Sequence, residues 1–278
     1  MTQGATAMRD GVRLVHSDTG SGPTILFHQG FSLTQMVWNP LLDQLAPTYR
    51  CITFDPRGHG ASDAPASGYT VDRLAEDLSE LASTLDLWDI TLVGHSLGGA
   101  AAVTTVANQG IGGRFSRMVL LAPTVPGFVQ REGQPYGVAP EAFAEFHRSI
   151  SEDYIGNAGR SAEIFFHQAD PEQAHRIFEA TLAMRPEVAA ELFGTLENLD
   201  LADRLNDVSI PTLALWGEHD ALSDPRWADW YRDRQLPNFH VGSLPSSGHG
   251  SMVDEPTSVA TRIREFIDRY PGTAPRRT

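Results

Sequence analysis

Short apolar runs bounded by turn residues recur along the chain: Val12–Val15, Thr24–Phe27, Cys51–Phe54, Ile90–Val93, Met118–Leu121, Thr212–Trp216 and Phe239–Val241. Several are continuous rather than alternating, the pattern of strands covered on both faces. Between them, Val71–Leu85 sets Leu74, Leu78 and Leu81 at helical spacing, and Ala100–Asn108 reads as a second helix. Alternating strands and helices predict an α/β fold with a mainly parallel sheet and right-handed crossovers. The alternation breaks between Pro123 and Arg204, where Glu141–Ile150, Ala162–Phe166, Glu172–Met184 and Pro186–Leu192 all read as helices. An excursion of about 80 residues is too long for a crossover loop. The expected division is a core from residues 1–122 and 205–278 with a helical cap, 123–204, inserted over the carboxyl edge of the sheet. A second domain packed at the side is the alternative. Pro271–Thr278 reads as a frayed tail.

Composition narrows the function. Hydrophobic residues at 41% and charged residues at 20% of 278 suit one large globular core. The formal net charge of −14 sets the surface against nucleic-acid phosphates and anionic lipid. No apolar run approaches the ~20 residues that span a bilayer, so neither nucleic acid nor membrane is an expected partner. The opening Met1–Thr6 shows no basic cluster followed by an apolar core, and the single cysteine, Cys51, cannot form an internal disulfide. Both agree with a cytoplasmic protein. All 21 basic residues are arginine, which leaves Schiff-base, pyridoxal-phosphate and Walker-type chemistry without a lysine. Neither H-E-x-x-H nor a Cys/His ligand pair occurs, and Gly94–Gly99 does not match G-x-G-x-x-G, so no metal, nucleotide or flavin cofactor is expected.

Candidate chemistry starts at Leu92-Val93-Gly94-His95-Ser96-Leu97-Gly98-Gly99, where an apolar strand runs through G-x-S-x-G into a small-residue helix. That context makes Ser96 a candidate nucleophile on a tight strand-to-helix turn; a plain helix-capping turn is the simpler reading. A serine nucleophile needs a base, an orienting acid and oxyanion donors. His249, in Ser247-Gly248-His249-Gly250 after the last strand, is the candidate base. Asp220, closing Trp216-Gly217-Glu218-His219-Asp220, is the candidate acid, with Glu218 and Asp224 as rivals and an Asx turn as its plainer role. Oxyanion donors are expected from the amides of Leu97, at a helix start, and Phe31, in His28-Gln29-Gly30-Phe31. Phe31, Trp38, Phe143 and Phe146 are the candidate substrate contacts, with Phe165, Phe166 and Phe178 as further cap aromatics for an apolar pocket, although aromatics at helical spacing more often form cap core. Asp55, Arg57 and Asp63, in the turn-rich Asp55–Asp63 stretch, are expected to brace one another beside the site, with Arg57 also open to binding a substrate carboxylate.

With Ser, Asp and His in that order, the chain resembles the alpha/beta-hydrolase superfamily, in its serine-nucleophile branch. HQGF at 28–31, DPRGHGASD at 55–63, GHSLGG at 94–99, WGEHD at 216–220 and SGHG at 247–250 carry the resemblance over most of the chain. It implies the nucleophile, acid and base roles for Ser96, Asp220 and His249, with Phe31 and Leu97 as oxyanion donors. The early motifs look most like cofactor-free haloperoxidases, perhydrolases and enol-lactonases. Leu97 departs from the methionine that many haloperoxidase-like enzymes carry there, and Gln29 splits the commoner His-Gly pair. A serine at the elbow, where dehalogenases and epoxide hydrolases resemble one another in using aspartate, favours an acyl-enzyme route on a small-molecule ester or lactone. Two alternatives use the same scaffold: cleavage of a carbon–carbon bond or tailoring of a natural product, and slow-turnover ligand capture by a hydrolase-like signalling protein.

Overall fold

The computed structural model describes residues 1–272 apart from Ile111 and Ala169. The tail at 273–278 lies outside the described residues. The apolar runs form seven of eight strands: β2 (Arg13–Thr19), β3 (Thr24–His28), β4 (Arg50–Phe54), β5 (Ile90–His95), β6 (Phe115–Leu121), β7 (Thr212–Gly217) and β8 (Phe239–Leu244), preceded by β1 (Thr2–Ala7). The sheet order is β1-β2-β4-β3-β5-β6-β7-β8, antiparallel at β1/β2 and β2/β4 and parallel elsewhere. β1 escapes the hydrophobic pattern because Thr2–Ala7 is an edge strand of small and polar residues, of which only Thr6 is buried. Its order comes from pairing with β2.

Continuous apolar strands are explained by two cores. Leu26, Ile52, Leu92, Met118, Leu120 and Ala214 face one; Ile25, Cys51, Val93, Val119, Leu121 and Leu213 face the other. Strand alternation thus sends neighbours to opposite faces, and both faces are covered. Helices α1 (Asn39–Leu45), α2 (Val71–Thr84) and α3 (Leu97–Gln109) join the early strands. α2 and α3 lie over the first core, α1 over the second.

Between β6 and β7 come α4 (Pro140–Glu152), α5 (Tyr154–Ile164), α6 (Pro171–Ala183) and α7 (Pro186–Gly194). Here one expectation is corrected. The helix expected at Ala162–Phe166 runs from Tyr154 to Ile164 instead, because Asp153 caps it by accepting from the Gly156 amide at 3.1 Å. Phe165 and Phe166 fall beyond its end and turn inward, 5% and 6% exposed. After β7 and β8 the chain closes with α8 (Trp227–Arg234), α9 (Ser251–Asp254) and α10 (Pro256–Arg269). No helix among the described residues is long and apolar enough to cross a membrane.

The Asp55–Asp63 stretch is braced, with partners other than those expected. Arg57, almost wholly buried, pairs with Asp77 at 2.6 Å and Asp10 at 2.8 Å. Asp55 accepts from the Gln35 and Ala61 amides, and Asp63 from the Arg13 amide. With its guanidinium committed to two carboxylates, Arg57 has no fork left for a substrate carboxylate.

Candidate active site

Strand order fixes where the site forms. From β3 the chain passes to β4 on one side, then returns to place β5 on the other. The segments leaving β3 and β5 therefore diverge above the sheet's carboxyl edge and open a crevice at the topological switch point. They carry His28–Phe31 and Ser96. The segments leaving β7 and β8 carry Asp220 and His249 to the same edge.

Ser96 adopts φ 52°, ψ −120°, in the positive-φ region that is costly for a side chain. The strain sits on the serine itself, and hydrogen bonds hold it there. Its amide donates to Leu121 O at 3.1 Å, and its carbonyl accepts from the Thr124 amide and hydroxyl, each at 3.1 Å, and from the Gly99 amide at 2.9 Å. The elbow glycines serve close approach. A Cβ on Gly98 would sit 2.3 Å from His28 O and 2.5 Å from Gln29 O, and one on Gly30 would sit 2.9 Å from Ser96 Cβ. The elbow and the β3 loop can touch only without those side chains.

His249 and Asp220 meet directly, with His249 Nδ1 2.9 Å from Asp220 Oδ2. The Asp220 side chain is fully buried and that of His249 5% exposed. The other Asp220 oxygen accepts from the Leu222 and Ser223 amides, both at 2.8 Å. The turn role and the imidazole contact are therefore served by separate oxygens of one carboxylate. Facing a carboxylate, Nδ1 carries the proton and Nε2 is left as a lone pair. The rivals lie elsewhere: Glu218 is exposed and accepts from Ser243 Oγ, and Asp224 is paired with Arg226.

Ser96, His249, Phe31 and Phe146 line one cavity of about 70 Å³. Two of the four aromatic candidates stand behind that lining, so their placement is corrected. Trp38 is fully buried, 5.1 Å from the Phe27 ring, with Nε1 donating to Gln29 Oε1 at 3.4 Å. Phe143 stacks at 5.0 Å on Phe193, which stands in front of it. Phe146 lies one turn along the same helix and reaches the cavity because i and i+3 share a face but not a depth. Leu97 also lies outside the lining as a side chain, but the expected role belongs to its amide. Among the described residues, neither the Leu97 amide nor the Phe31 amide donates to any protein acceptor.

Of the further cap aromatics, Phe165 lines the cavity while Phe166 and Phe178 do not, and two residues not singled out from the sequence, His95 and Ser32, help to complete it. Phe165 edges onto His249 at 5.5 Å, and its carbonyl accepts from the Gly250 amide at 2.8 Å. His95, beside Ser96 in GHSLGG, lines the cavity and donates from Nε2 to His249 O at 3.0 Å. Its motif position is the one signal the sequence offers for it. Ser32 follows Phe31 at φ 57° and is bonded through its hydroxyl to Thr181 Oγ1 of α6 at 3.1 Å.

Three buried histidines lie under this edge. Burial pushes His28 and His59 each down to about 4, and drives His95 well below the ordinary histidine range. They fold neutral, whereas in the unfolded chain they take up protons as pH falls through about 6.5. Stability is thus full above that pH and falls progressively toward pH 4, by about 1.4 kcal/mol per pH unit for each histidine once well below 6.5. Asp55 and Asp254, raised by burial, act in the opposite sense nearer pH 4. Urea midpoints at pH 7, 6 and 5 should fall in that order; a flat series would contradict neutral burial. Cys51 offers no rival nucleophile, since burial pushes its thiol up to about 12. Among the described residues there is no group of three or more His, Cys, Asp or Glu placed to hold a metal ion.

A family model described as the alpha/beta hydrolase fold matches residues 23–256. The chain belongs to that family. This alpha/beta hydrolase is 34% identical to a non-heme chloroperoxidase of Streptomyces lividans, over 95% of this chain and 99% of that one. Its structure superposes on an esterase from Exiguobacterium antarcticum with a TM-score of 0.90 and 26% identity, covering 95% and 98% of the two chains. An enol-lactonase from Burkholderia xenovorans, 20% identical, shares the fold with a TM-score of 0.81, covering 95% of this chain and all of that one. The α/β class and the superfamily expected from the motifs are those found, and the protein is an alpha/beta hydrolase enzyme.

Proposed function

We propose that the protein is a serine hydrolase that cleaves small carboxylic esters or lactones through an acyl-enzyme. The observation that carries this reading is the buried Asp220–His249 pair opening onto the same cavity as a strained Ser96. Ser96 Oγ attacks the substrate carbonyl while His249 Nε2 takes its proton. Asp220 keeps Nδ1 protonated and stabilises the imidazolium. The oxyanion is held by the Phe31 and Leu97 amides, which have no protein acceptor to give up and lie at a loop and a helix start. His249 then gives its proton to the leaving oxygen, an alcohol from an ester or the tethered hydroxyl of an opened lactone. Water, deprotonated by the same nitrogen, attacks the acyl group, frees a carboxylic acid and restores Ser96.

In this reading residues 123–204 act as a cap. Phe31 of the β3 loop meets Phe193 of α7 at 5.2 Å, and Phe165 meets His249, so the inserted helices roof the reacting carbonyl with aromatic rings. An apolar roof excludes water and strengthens the oxyanion contacts. Initial rates on p-nitrophenyl esters of rising acyl length and on several lactones test the proposal. Turnover of short esters or lactones is expected; none on any member of the panel would refute it.

A further inference from the structure

The cavity over Ser96, at about 70 Å³, is far smaller than the roughly 300–1,000 Å³ that buries a drug-sized ligand. Beside it lies a second cavity of about 640 Å³, between the Gln35–Trp38 turn with α1 on one side and α6 on the other. Leu33 and Ile177 line both cavities and are 2% and 6% exposed. They form the wall between them. The seam around the wall is pinned, because Ser32 Oγ bonds Thr181 Oγ1, one turn beyond Ile177 on α6, and Tyr154 donates to Thr181 O at 2.6 Å. Opening the wall therefore falls to the two aliphatic side chains rather than to movement of the helix.

The two cavities differ in chemistry. The inner one is walled mainly by phenylalanines and aliphatic residues around the reacting groups. The outer one presents Thr34, Asn39 and Gln173 as neutral hydrogen-bonding groups, with the carboxylates of Asp43 and Glu179. Its one lining cation among the described residues, Arg176, is engaged by Glu172 at 2.7 Å. Glu179 also faces the His175 imidazole at 3.3 Å, and an anionic group entering there meets two carboxylates against one arginine already shared with Glu172.

We infer that the enzyme's preferred esters have two parts: a compact group beside the carbonyl, held in the inner cavity, and a longer neutral or cationic tail that passes Leu33 and Ile177 into the outer one. This rests on Ser96 being the nucleophile. The wall then sets the length limit, and the outer cavity sets the charge preference.

The test compares wild type with Ile177→Ala and Ile177→Trp on esters lengthened on the acyl side, p-nitrophenyl acetate to octanoate, and on the alcohol side, ethyl to octyl acetate. Ile177→Val, which removes a single methylene, serves if the larger changes fail to fold. Ile177→Ala is expected to raise kcat/KM for the longest member of at least one series about tenfold relative to its shortest member. Ile177→Trp should lower that ratio, and Ile177→Val should move it in the direction of alanine. Among tailed esters of equal length, an ω-trimethylammonium ester should exceed its ω-carboxylate counterpart about tenfold at low salt, and Asp43→Asn with Glu179→Gln should narrow that gap. Length ratios that do not move in folded variants, or equal rates for the two charged tails, would overturn the inference while leaving Ser96 hydrolysis intact. Wild-type turnover that persists in Ser96→Ala would instead overturn the parent reading, and this one with it.

Discussion

Replacing Ser96 by alanine is expected to lower kcat for the best ester substrate by about 10⁴- to 10⁶-fold, the range found when a nucleophile that works as a unit with its base is removed. The change deletes one oxygen and leaves the elbow's backbone hydrogen bonds in place, to Leu121 O and from the Thr124 and Gly99 amides. Alanine has the same Cβ as serine, so the left-handed backbone costs about as much as before. Thermal midpoint and circular dichroism should therefore match wild type while turnover disappears. Titration with an alkylphosphonate that forms an adduct on a serine oxygen gives a second readout. One equivalent should bind to wild type and none to the variant. Retention of turnover in a folded Ser96→Ala protein would remove Ser96 from the mechanism.

Asp220→Asn should lower kcat by about 10⁴-fold with KM little changed, the size of effect expected when a base is held in its wrong tautomer. The direction follows from the two oxygens of Asp220. One accepts from the Leu222 and Ser223 amides, a demand the new side chain can meet only with its amide oxygen. The amide nitrogen must then face His249 Nδ1 and donate to it. His249 Nδ1 becomes the acceptor, its proton moves to Nε2, and Nε2 can no longer take one up from the proposed nucleophile. Rates measured from pH 6 to pH 10 separate this from a packing defect. Lost general-base function should leave a residual rate that rises with hydroxide, whereas a merely loosened site would keep the wild-type profile at reduced amplitude. The substitution conserves volume, so the fold should persist.

Much of this chain is legible locally. β3, β5, β6 and β7 announce themselves because a strand covered on both faces carries an unbroken apolar run rather than an alternating one, and α2 because one buried stripe must recur at helical spacing. The elbow is legible for a steric reason: only glycine at 98 lets α3 approach the β3 loop. Asp220 and His249 are readable as polar residues at the carboxyl ends of apolar strands, where a doubly covered sheet meets solvent. These are constraints that a residue's near neighbours in sequence impose, and the sequence by itself determines the α/β class, the family and the order of the candidate site residues.

Other features depend on partners far along the chain. β1 exists because β2 offers it an edge, although its own residues show little apolar preference. Arg57 finds Asp77 and Asp10 rather than the acids in its own motif, since a buried guanidinium is matched by whatever carboxylates the folded chain brings within reach. Of four aromatic candidates for the pocket, Phe31 and Phe146 line it, while Trp38 and Phe143 stand a layer behind. Hydrophobic pattern fixes which side of an element is buried, but not how far inside a side chain ends. The same limit keeps the sequence from telling Phe165, which lies beyond the end of a helix whose start is set by Asp153 and reaches the cavity, from Phe166 and Phe178, which do not, and it hides the wall that Leu33 and Ile177 build from segments 144 residues apart in the chain. Identity and order of the chemical groups are thus written in the chain itself; depth, partner choice and the shape of the space around Ser96 arise only when distant segments pack, because each is a property of contacts that no single segment contains.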